Sequence, residues 1–276
     1  MNKVSVIMPA FKASETLDRS IDAVFRQVHT NWELWILVDR GDERDAETAR
    51  LWSARDARIK AVISDKHRGV VRMRNIGLRL CKGDWYAFCD ADDFWIPAKL
   101  RLQLELAERG HLDLVYSNFY FYYPVSSDKR WVGTRSTTTG RDLLAVNSIP
   151  MSTSLVKRLP AMHYFEMLPG DQIHEDYVYW LGLFRKYPKL RSGGVEGATV
   201  YISQQPHSRS GNVFKAISSH WFVLRNYTSI NLASACYYMC QYLIKAALKR
   251  RGRHKTKCDL EYELTESLLF KDGKID

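Results

Sequence analysis

The sequence lacks the features that mark several common classes of protein. Its first residues, Met1-Asn2-Lys3-Val4, enter a strand-like run without the basic and apolar segments of a signal peptide. The longest mainly apolar stretch, around residues 230–248, contains too many polar side chains for a transmembrane helix. The five cysteines are scattered and odd in number, which argues against a disulfide framework and favours a reducing compartment. We therefore expect a cytoplasmic protein with an ordinary globular core.

The glycine-rich motifs of several α/β protein classes are also missing. The turn after the first apolar run reads Pro9-Ala10-Phe11-Lys12, where a nicotinamide-binding domain has G-x-G-x-x-G. Neither G-x-x-x-x-G-K-[ST] nor G-x-S-x-G occurs, which argues against a P-loop protein and a nucleophile-elbow hydrolase. The same turn lacks the glycine- and basic-rich loop of a nucleotidyltransferase, and the first strand lacks the paired aspartates of an aspartyl-phosphate phosphatase.

One basic segment in the C-terminal part of the sequence lacks acidic residues. The net charge is +10, and seven basic residues with no acid among them lie between Lys245 and Lys257. Such a run suits an anionic surface or is simply a solvated tail. Because residues 231–257 also contain Leu, Ile, Tyr and Met, we interpret them as an amphipathic segment on an anionic membrane surface, at the inner face of the cytoplasmic membrane. No nucleic-acid partner is expected.

What the sequence does contain is an alternation of strand and helix patterns over about the first 115 residues. Ser14 is a plausible N-cap of the first helix, and Pro97 lies where a later helix begins. This rhythm predicts a mainly parallel sheet covered by helices, with ligands bound beyond the carboxyl ends of the strands. The predicted strands are 4–8, 33–38, 58–63, 85–89 and 112–116.

The pattern changes after residue 116. An aromatic hairpin is predicted at 119–123 and 131–133, and a short strand at 200–203. Helices are predicted at 141–147, 175–186, 212–228 and 231–250. We divide the chain accordingly into residues 1–115, residues 116–210 and a helical, basic region at 211–276.

Acidic side chains follow several of the predicted strands. Asp39, Asp65 and the run Asp90-Ala91-Asp92-Asp93 should meet at one rim of the sheet. Alternate residues share a side, so Asp90 and Asp92 can act together, and clustered carboxylates need a cation such as Mg²⁺ or Mn²⁺ to neutralise them. The alternative is an ordinary acidic turn in which Asp93 caps the next helix.

A second acidic pair, Glu175-Asp176, opens the helix predicted at 175–186. Acids are favoured at a helix N-terminus by its dipole alone. The functional interpretation is that one of the two carboxylates acts as a general base.

The order and spacing of these pieces resemble the inverting glycosyltransferases of family 2, of the type that builds bacterial cell-surface polysaccharides. Val4 to Phe11 is similar to the family's VSVIxPxYN start, and Asp90-Ala91-Asp92-Asp93 is its DADD motif. Arg74-Asn75 with Gly77 resembles ARNxG, and Glu175-Asp176 resembles the ED element. The similarity runs over about residues 3–120 and 170–210.

The resemblance implies an α/β GT-A fold, that is, a Rossmann-like, mainly parallel sheet, here followed by a C-terminal helical extension. It also implies metal-dependent transfer of one sugar, with inversion, from a nucleotide-sugar donor to a saccharide or lipid-linked saccharide. Residues 1–115 would bind the donor, and residues 116–210 would bind the acceptor and carry the base. Asp176 would be that base, and Asp92 would bind Mn²⁺ or Mg²⁺. Glu175 and Asp93 would support them, and the donor would be contacted by Pro9, Phe11, Asp39, Asp65, Arg68, Arg74, Asp90 and Ala91.

The sequence departs from the family pattern at several points. Arg40 replaces the second aspartate of a usual pair, and Lys12 replaces an asparagine. These departures leave open a non-catalytic nucleotide-binding or scaffold subunit at the membrane, although the presence of Asp92 and Asp176 favours an enzyme. The Q-x-x-R-W element of processive synthases is absent, which favours single additions. In the polar loop after residue 203, His207 could ligate the metal or be solvated, and Arg209 could contact the diphosphate.

Overall fold

A computed structural model describes residues 2–168, 174–204 and 213–251, with the side chains of residues 216–246 in the last range. The strands are β1 (Val4–Ala10), β2 (Trp32–Val38), β3 (Ile59–Ile63), β4 (Trp85–Phe88), β5 (Phe94–Trp95), β6 (Leu114–Tyr123), β7 (Asp128–Val132), β8 (Leu155–Lys157) and β9 (Ser192–Ser203). The helices are α1 (Leu17–Phe25), α2 (Glu43–Arg55), α3 (Val70–Leu80), α4 (Lys99–Gly110), α5 (Gly140–Ala145), α6 (Glu175–Lys186), α7 (Val213–Asn226) and α8 (Leu232–Arg251).

The strands form one nine-stranded sheet in the order β3-β2-β1-β4-β8-β6-β9-β5, and β7 pairs with β6 outside this path. β3, β2, β1 and β4 pair in parallel, as do β6 and β9. β5, β7 and β8 run antiparallel to their neighbours. The prediction of a mainly parallel sheet is confirmed, and the sheet continues across the predicted boundary at residue 115.

Helices cover both faces of the sheet. Successive side chains of a strand point to opposite faces, so each strand contributes residues to two apolar clusters, one on each face. Val4, Val6 and Met8 of β1 pack with α1, α2 and α4 on one face. Ile7 of β1 and Leu37 of β2 pack with α3, α5 and α6 on the other. Because β1 pairs in parallel with β2 and β4, the carboxyl ends of these three strands lie at a common rim.

Several predicted boundaries were wrong. α1 begins at Leu17 with Thr16 as its N-cap residue, so Ser14 is not the cap. The strand predicted at 112–116 and the first arm of the aromatic hairpin form one strand, β6, which is interrupted by a register shift around Asn118. The short strands β5 and β8 were not predicted, because strands of two or three residues leave no periodic pattern.

The C-terminal helices pack against the rest of the molecule. Three rings form a stack in which His220 of α7 lies between Tyr177 of α6 and Tyr242 of α8, with centroid distances of 5.1 and 4.1 Å. Burial lowers the pKa of His220 to about 4, so the ring is neutral within the stack. This stack attaches α8 to the helix that begins with Glu175. None of the described helices has the length and apolar character needed to cross a membrane.

Candidate active site

The acidic run lies directly after β4 and is fixed through its backbone. The Asp90 amide donates to Ser152 Oγ at 3.0 Å, and the Ala91 carbonyl accepts from Ser20 Oγ at 2.9 Å. Ala91 is buried, so its side chain is part of the core. These contacts come from α1 and from the turn before β8. The loop is therefore held from two sides before any ligand binds.

A third support comes from the end of β9. The Asp92 carbonyl accepts from the Arg19 guanidinium at 3.1 Å and from the Ser203 hydroxyl. Asp93 is buried and accepts from the Ser203 amide at 3.0 Å. The next helix, α4, begins at Lys99 after the N-cap residue Ala98, so the prediction that Asp93 caps it was wrong. Asp93 instead joins the acidic run to β9.

The carboxylates of the run carry unfavourable charge. Burial and the neighbouring Asp90 raise the pKa of Asp92 to about 6. Burial and then Asp92 also raise the pKa of Asp93 well above its usual range. Both shifts mean that burial and carboxylate repulsion disfavour the ionised run, which a bound cation would stabilise.

The run fits a hard divalent cation that shares its ligands with a substrate. In the part of the chain that the structure describes, no three His, Cys, Asp or Glu side chains are grouped to hold a metal. Mg²⁺ is commonly bound by one or two carboxylates together with substrate phosphates. Asp92, with Asp90 beside it, offers that kind of partial site.

Arg74 joins the acidic run to the second acidic pair. Its side chain is buried, with one terminal nitrogen 2.6 Å from Asp90 Oδ1 and the other 3.0 Å from Glu175 Oε1. These two carboxylates raise the pKa of the guanidinium in spite of its burial, so it stays charged. The guanidinium of Arg74 thus forms ion pairs with both Asp90 and Glu175, which were predicted as parts of separate motifs. Arg74 has both terminal nitrogens occupied, and its predicted contact with a donor stays a prediction.

Asp176 has a different environment from its neighbour Glu175. Its Oδ2 accepts from the side-chain amide of Asn147 at 2.9 Å, and its Oδ1 accepts from the Tyr177 amide at 2.7 Å. Burial and then Glu175 raise its pKa. Glu175 is ion-paired with Arg74, whereas the hydrogen bonds to Asp176 come from neutral donors.

Asp39 organises the loop before α3. Its two oxygens accept from the backbone amides of Arg68 and Gly69, each at 2.7 Å, and Oδ2 lies 2.9 Å from His67 Nδ1. Asp39 is almost fully buried. Its hydrogen bonds shape the rim at residues 67–69, and its contact with a nucleotide stays a prediction.

Two aromatic rings stand at this rim. Phe11, which is 45% exposed, lies 4.6 Å from the ring of His67. Pro9 is half-buried near the end of β1. A Cβ atom at position 41 would lie 2.5 Å from the Phe11 ring, so Gly41 allows that ring to approach the loop closely. The pair leaves an exposed aromatic surface above the strand ends.

Asp65 and Arg68 form a local pair. Arg68 contacts Asp65 Oδ1 at 2.8 Å and Ser64 Oγ at 2.7 Å, and Asp65 is largely exposed. Arg40, one of the departures from the family pattern, donates to the Asp65 carbonyl at 2.9 Å. Arg40 therefore braces the rim loop. His207 and Arg209 lie outside the described residues, and their roles stay predictions.

Sequence reasoning missed several residues that support this site. Arg19, Asn147, Ser152 and Ser203 belong to segments distant in sequence and to no motif. Each donates or accepts a hydrogen bond with the acidic run or with Asp176. Only the folded chain identifies them.

Comparisons with known proteins identify the family of the chain. The model of the family described as "Glycosyl transferase family 2" matches residues 5–159. The Escherichia coli protein named UDP-Glc:alpha-D-GlcNAc-diphosphoundecaprenol beta-1,3-glucosyltransferase WfgD is 28% identical over 254 residues, which are 91% of this chain and 96% of that protein.

Two solved structures share the fold. TarS of S. aureus (residues 1–349, with UDP-GlcNAc) matches with a TM-score of 0.63 at 16% identity, over 95% of this chain and 78% of that one. The mannosyltransferase PcManGT of Pyrobaculum calidifontis, with GDP-Man and Mn²⁺, matches with a TM-score of 0.62 at 14% identity, over 97% and 81%. The predicted GT-A fold is thereby confirmed.

Proposed function

The chain belongs to glycosyl transferase family 2, and from that premise we propose that it transfers a single sugar, with inversion, from a nucleotide-sugar donor to an acceptor hydroxyl. The bond between the anomeric carbon and the donor phosphate breaks as the acceptor oxygen attacks. The acceptor proton passes to Asp176. The acceptor we propose is a saccharide carried on a lipid diphosphate, by analogy with the substrate in the name of WfgD.

One observation carries the proposal: the bridge from Asp90 through Arg74 to Glu175. Transfer requires the leaving group and the acceptor to be held on opposite sides of one carbon atom. A buried guanidinium that binds both acidic elements fixes their separation. The acidic run then serves the donor's diphosphate, and the Glu175-Asp176 pair serves the acceptor.

Asp176 is the carboxylate best suited to remove a proton. A general base works best when its pKa approaches the working pH, and burial moves the pKa of Asp176 in that direction. The hydrogen bond from Asn147 orients the carboxylate without adding positive charge. Glu175 differs in that its carboxylate is already engaged in an ion pair with Arg74.

Asp92, with Asp90 beside it, would hold Mn²⁺ or Mg²⁺ together with donor phosphates. When bound, such an ion supplies positive charge to the departing nucleotide diphosphate. Phe11 and His67 would lie against the nucleobase, and Pro9, Asp39 and Arg68 would shape that part of the rim. His207 and Arg209 would complete the site from the loop after β9. We place the reaction at the cytoplasmic face of an anionic membrane, where a lipid-linked acceptor would be found.

The test is release of nucleotide from a panel of UDP- and GDP-sugars with a lipid-diphosphate saccharide, with and without a chelator. We expect turnover of one donor class, lost on chelation and restored by Mn²⁺ or Mg²⁺. Asp92→Asn should lower the rate by about 10²-fold or more, since it weakens metal binding. Asp128→Asn, on the exposed strand β7, is the matched control. Undiminished turnover in Asp92→Asn would contradict the proposal.

A further inference from the structure

Helix α8 has two faces of different character. Its inner face packs on the molecule through the fully buried Ala235 and through Tyr242, whose ring stacks on His220. Its outer face is apolar and exposed along the described side chains, with Tyr237 and Ile244 each 60% accessible. We call this surface the outer face of α8: Leu232, Cys236, Tyr237, Cys240, Leu243 and Ile244.

The spacing of these residues makes the outer face continuous. At 100° per residue, positions 232, 236, 240 and 243 lie within about one quarter of the helix circumference, and positions 237 and 244 widen the stripe on one side. From Leu232 to Ile244 the helix rises about 18 Å, at about 1.5 Å per residue, so the stripe is long enough to act as a single contact surface. Exposed apolar patches of this kind mark contact sites rather than ordinary surface.

The charge of the segment indicates which partner the outer face of α8 contacts. α8 contains no Asp or Glu, and its last turn carries Lys249, Arg250 and Arg251. The sequence from Lys245 to Lys257 contains seven basic residues and no acid. An apolar face followed by a basic segment matches a bilayer with anionic headgroups, which attract basic residues near the surface.

Helix α8 is joined by side-chain contacts to the helix that carries the proposed base. The stack of Tyr242, His220 and Tyr177 connects α8 to α6, the helix that begins with Glu175 and Asp176. In addition, Ser219 of α7 accepts from the amide of His174, directly before that pair, at 3.4 Å. A bilayer bound by α8 is therefore held in a fixed relation to the proposed base.

We propose that the outer face of α8 inserts into the interfacial layer of an anionic bilayer, which presents the Glu175-Asp176 end of α6 to acceptors in that bilayer. The inference rests on the proposed function for the nature of the acceptor. The surface itself is defined by exposure, spacing and charge alone.

The experiment measures co-sedimentation of the full chain with vesicles of phosphatidylcholine, alone or with roughly one third phosphatidylglycerol. We expect binding to the anionic vesicles at low salt, weak binding to neutral ones, and loss of binding as salt rises. The double variant Leu243→Ser, Ile244→Ser should lower the partition coefficient about tenfold or more, because two apolar side chains no longer enter the interface.

The matched control is Leu51→Ser, Val125→Ser, which changes two exposed apolar residues away from α8. It should bind anionic vesicles as the parent does. Both variants should keep the parent melting temperature, since none of the four side chains is buried. Equal binding by parent and α8 variant, or an equal loss in the control, overturns the inference.

Two further outcomes separate this inference from its alternatives. If sedimentation velocity without vesicles shows a dimer that the α8 variant dissociates, and vesicles are not bound, the face is a contact between copies of the chain and the inference is wrong. If vesicle binding fails while the nucleotide-sugar still raises the melting temperature and is turned over, only this inference fails. If vesicles are bound but no nucleotide-sugar is, the proposed function fails instead.

Discussion

At the scale of single residues, the structure depends on buried charges that have partners from distant segments. Arg74 is the clearest example, because it is buried and binds Asp90 on one side and Glu175 on the other. A buried ion pair is weak support for stability in itself, but removing one partner leaves an uncompensated charge. Arg74 therefore affects both the geometry of the site and the stability of the fold.

Replacing Arg74 tests both effects. Arg74→Lys keeps the charge, but one ammonium group cannot reproduce two fixed hydrogen bonds to two carboxylates, so we expect the turnover rate to fall about 10–100-fold. Arg74→Met should lower the free energy of unfolding by about 3 kcal/mol in urea denaturation. Arg72→Met, at an exposed position of the same helix, is the control. Parent-like turnover in Arg74→Lys would show that the bridge does not position the site.

Glu33 is a second buried charge, far from the site. Burial alone would raise its pKa, but hydrogen bonds from Lys3, Ser5, the Lys82 amide and Lys60 outweigh burial and lower the pKa to about 2. The unfolded value is near 4.5, so the stabilisation is complete above pH 4.5 and is lost as the pH falls towards 2.

Glu33→Gln should therefore lower the free energy of unfolding at pH 7 by about 2 kcal/mol, a figure reduced for the partly exposed lysines. The difference between parent and variant should shrink as the pH is lowered from 5 to about 3. Urea denaturation across that range measures it. Glu43→Gln, which alters an exposed ion pair, should have almost no effect. A difference that stays constant with pH would be evidence against this account of Glu33.

At the scale of elements, the placement of α3 determines where Arg74 lies. The helix follows Gly69, whose φ of +82° suits glycine and whose amide donates to Asp39. Further along, Gly77 lets the helix approach the sheet, because a Cβ atom there would lie 2.6 Å from Ile7 and 2.8 Å from Leu37. The helix is thus fixed at its start and along its inner face.

Gly77→Ala should destabilise the protein by about 1–3 kcal/mol, because the buried Ile7 and Leu37 side chains must move to admit a methyl group. The intrinsic helix propensity of alanine would act in the opposite direction by about 1 kcal/mol. Thermal and urea denaturation measure the balance, with Arg72→Ala as the control on the exposed side of α3. A stabilised Gly77→Ala protein would mean that the close approach is not constrained.

Helices and strands with local sequence signals were predicted, whereas short strands formed by distant pairing were not. The helix at 175–186 was predicted with its observed bounds, because its apolar pattern and its acidic start are local signals. β5 and β8 were missed, since each exists only through pairing with strands distant in sequence. Asp93 was misassigned as a helix cap for the same reason. Its partner, Ser203, lies on β9, far from it in sequence.

At the scale of the whole molecule, the two halves of the site were predicted separately and joined only by the fold. Local motifs identified the acidic run and the Glu175-Asp176 pair, and the family resemblance ordered them. Nothing in the sequence indicated that Arg74 spans them, or that Asn147 orients Asp176. Such contacts depend on side-chain geometry across the sheet, which no local pattern encodes.

The measurement that tests the central claim most directly is donor binding compared with turnover in Asp176→Asn. Asparagine keeps the shape of the side chain but cannot accept the acceptor proton. We expect kcat to fall by about 10²–10⁴-fold, the usual contribution of a general base. The Kd of the nucleotide-sugar, measured by calorimetry with Mn²⁺, should change less than about threefold, because the donor is held by the acidic run. A kcat within a fewfold of the parent value would contradict the account.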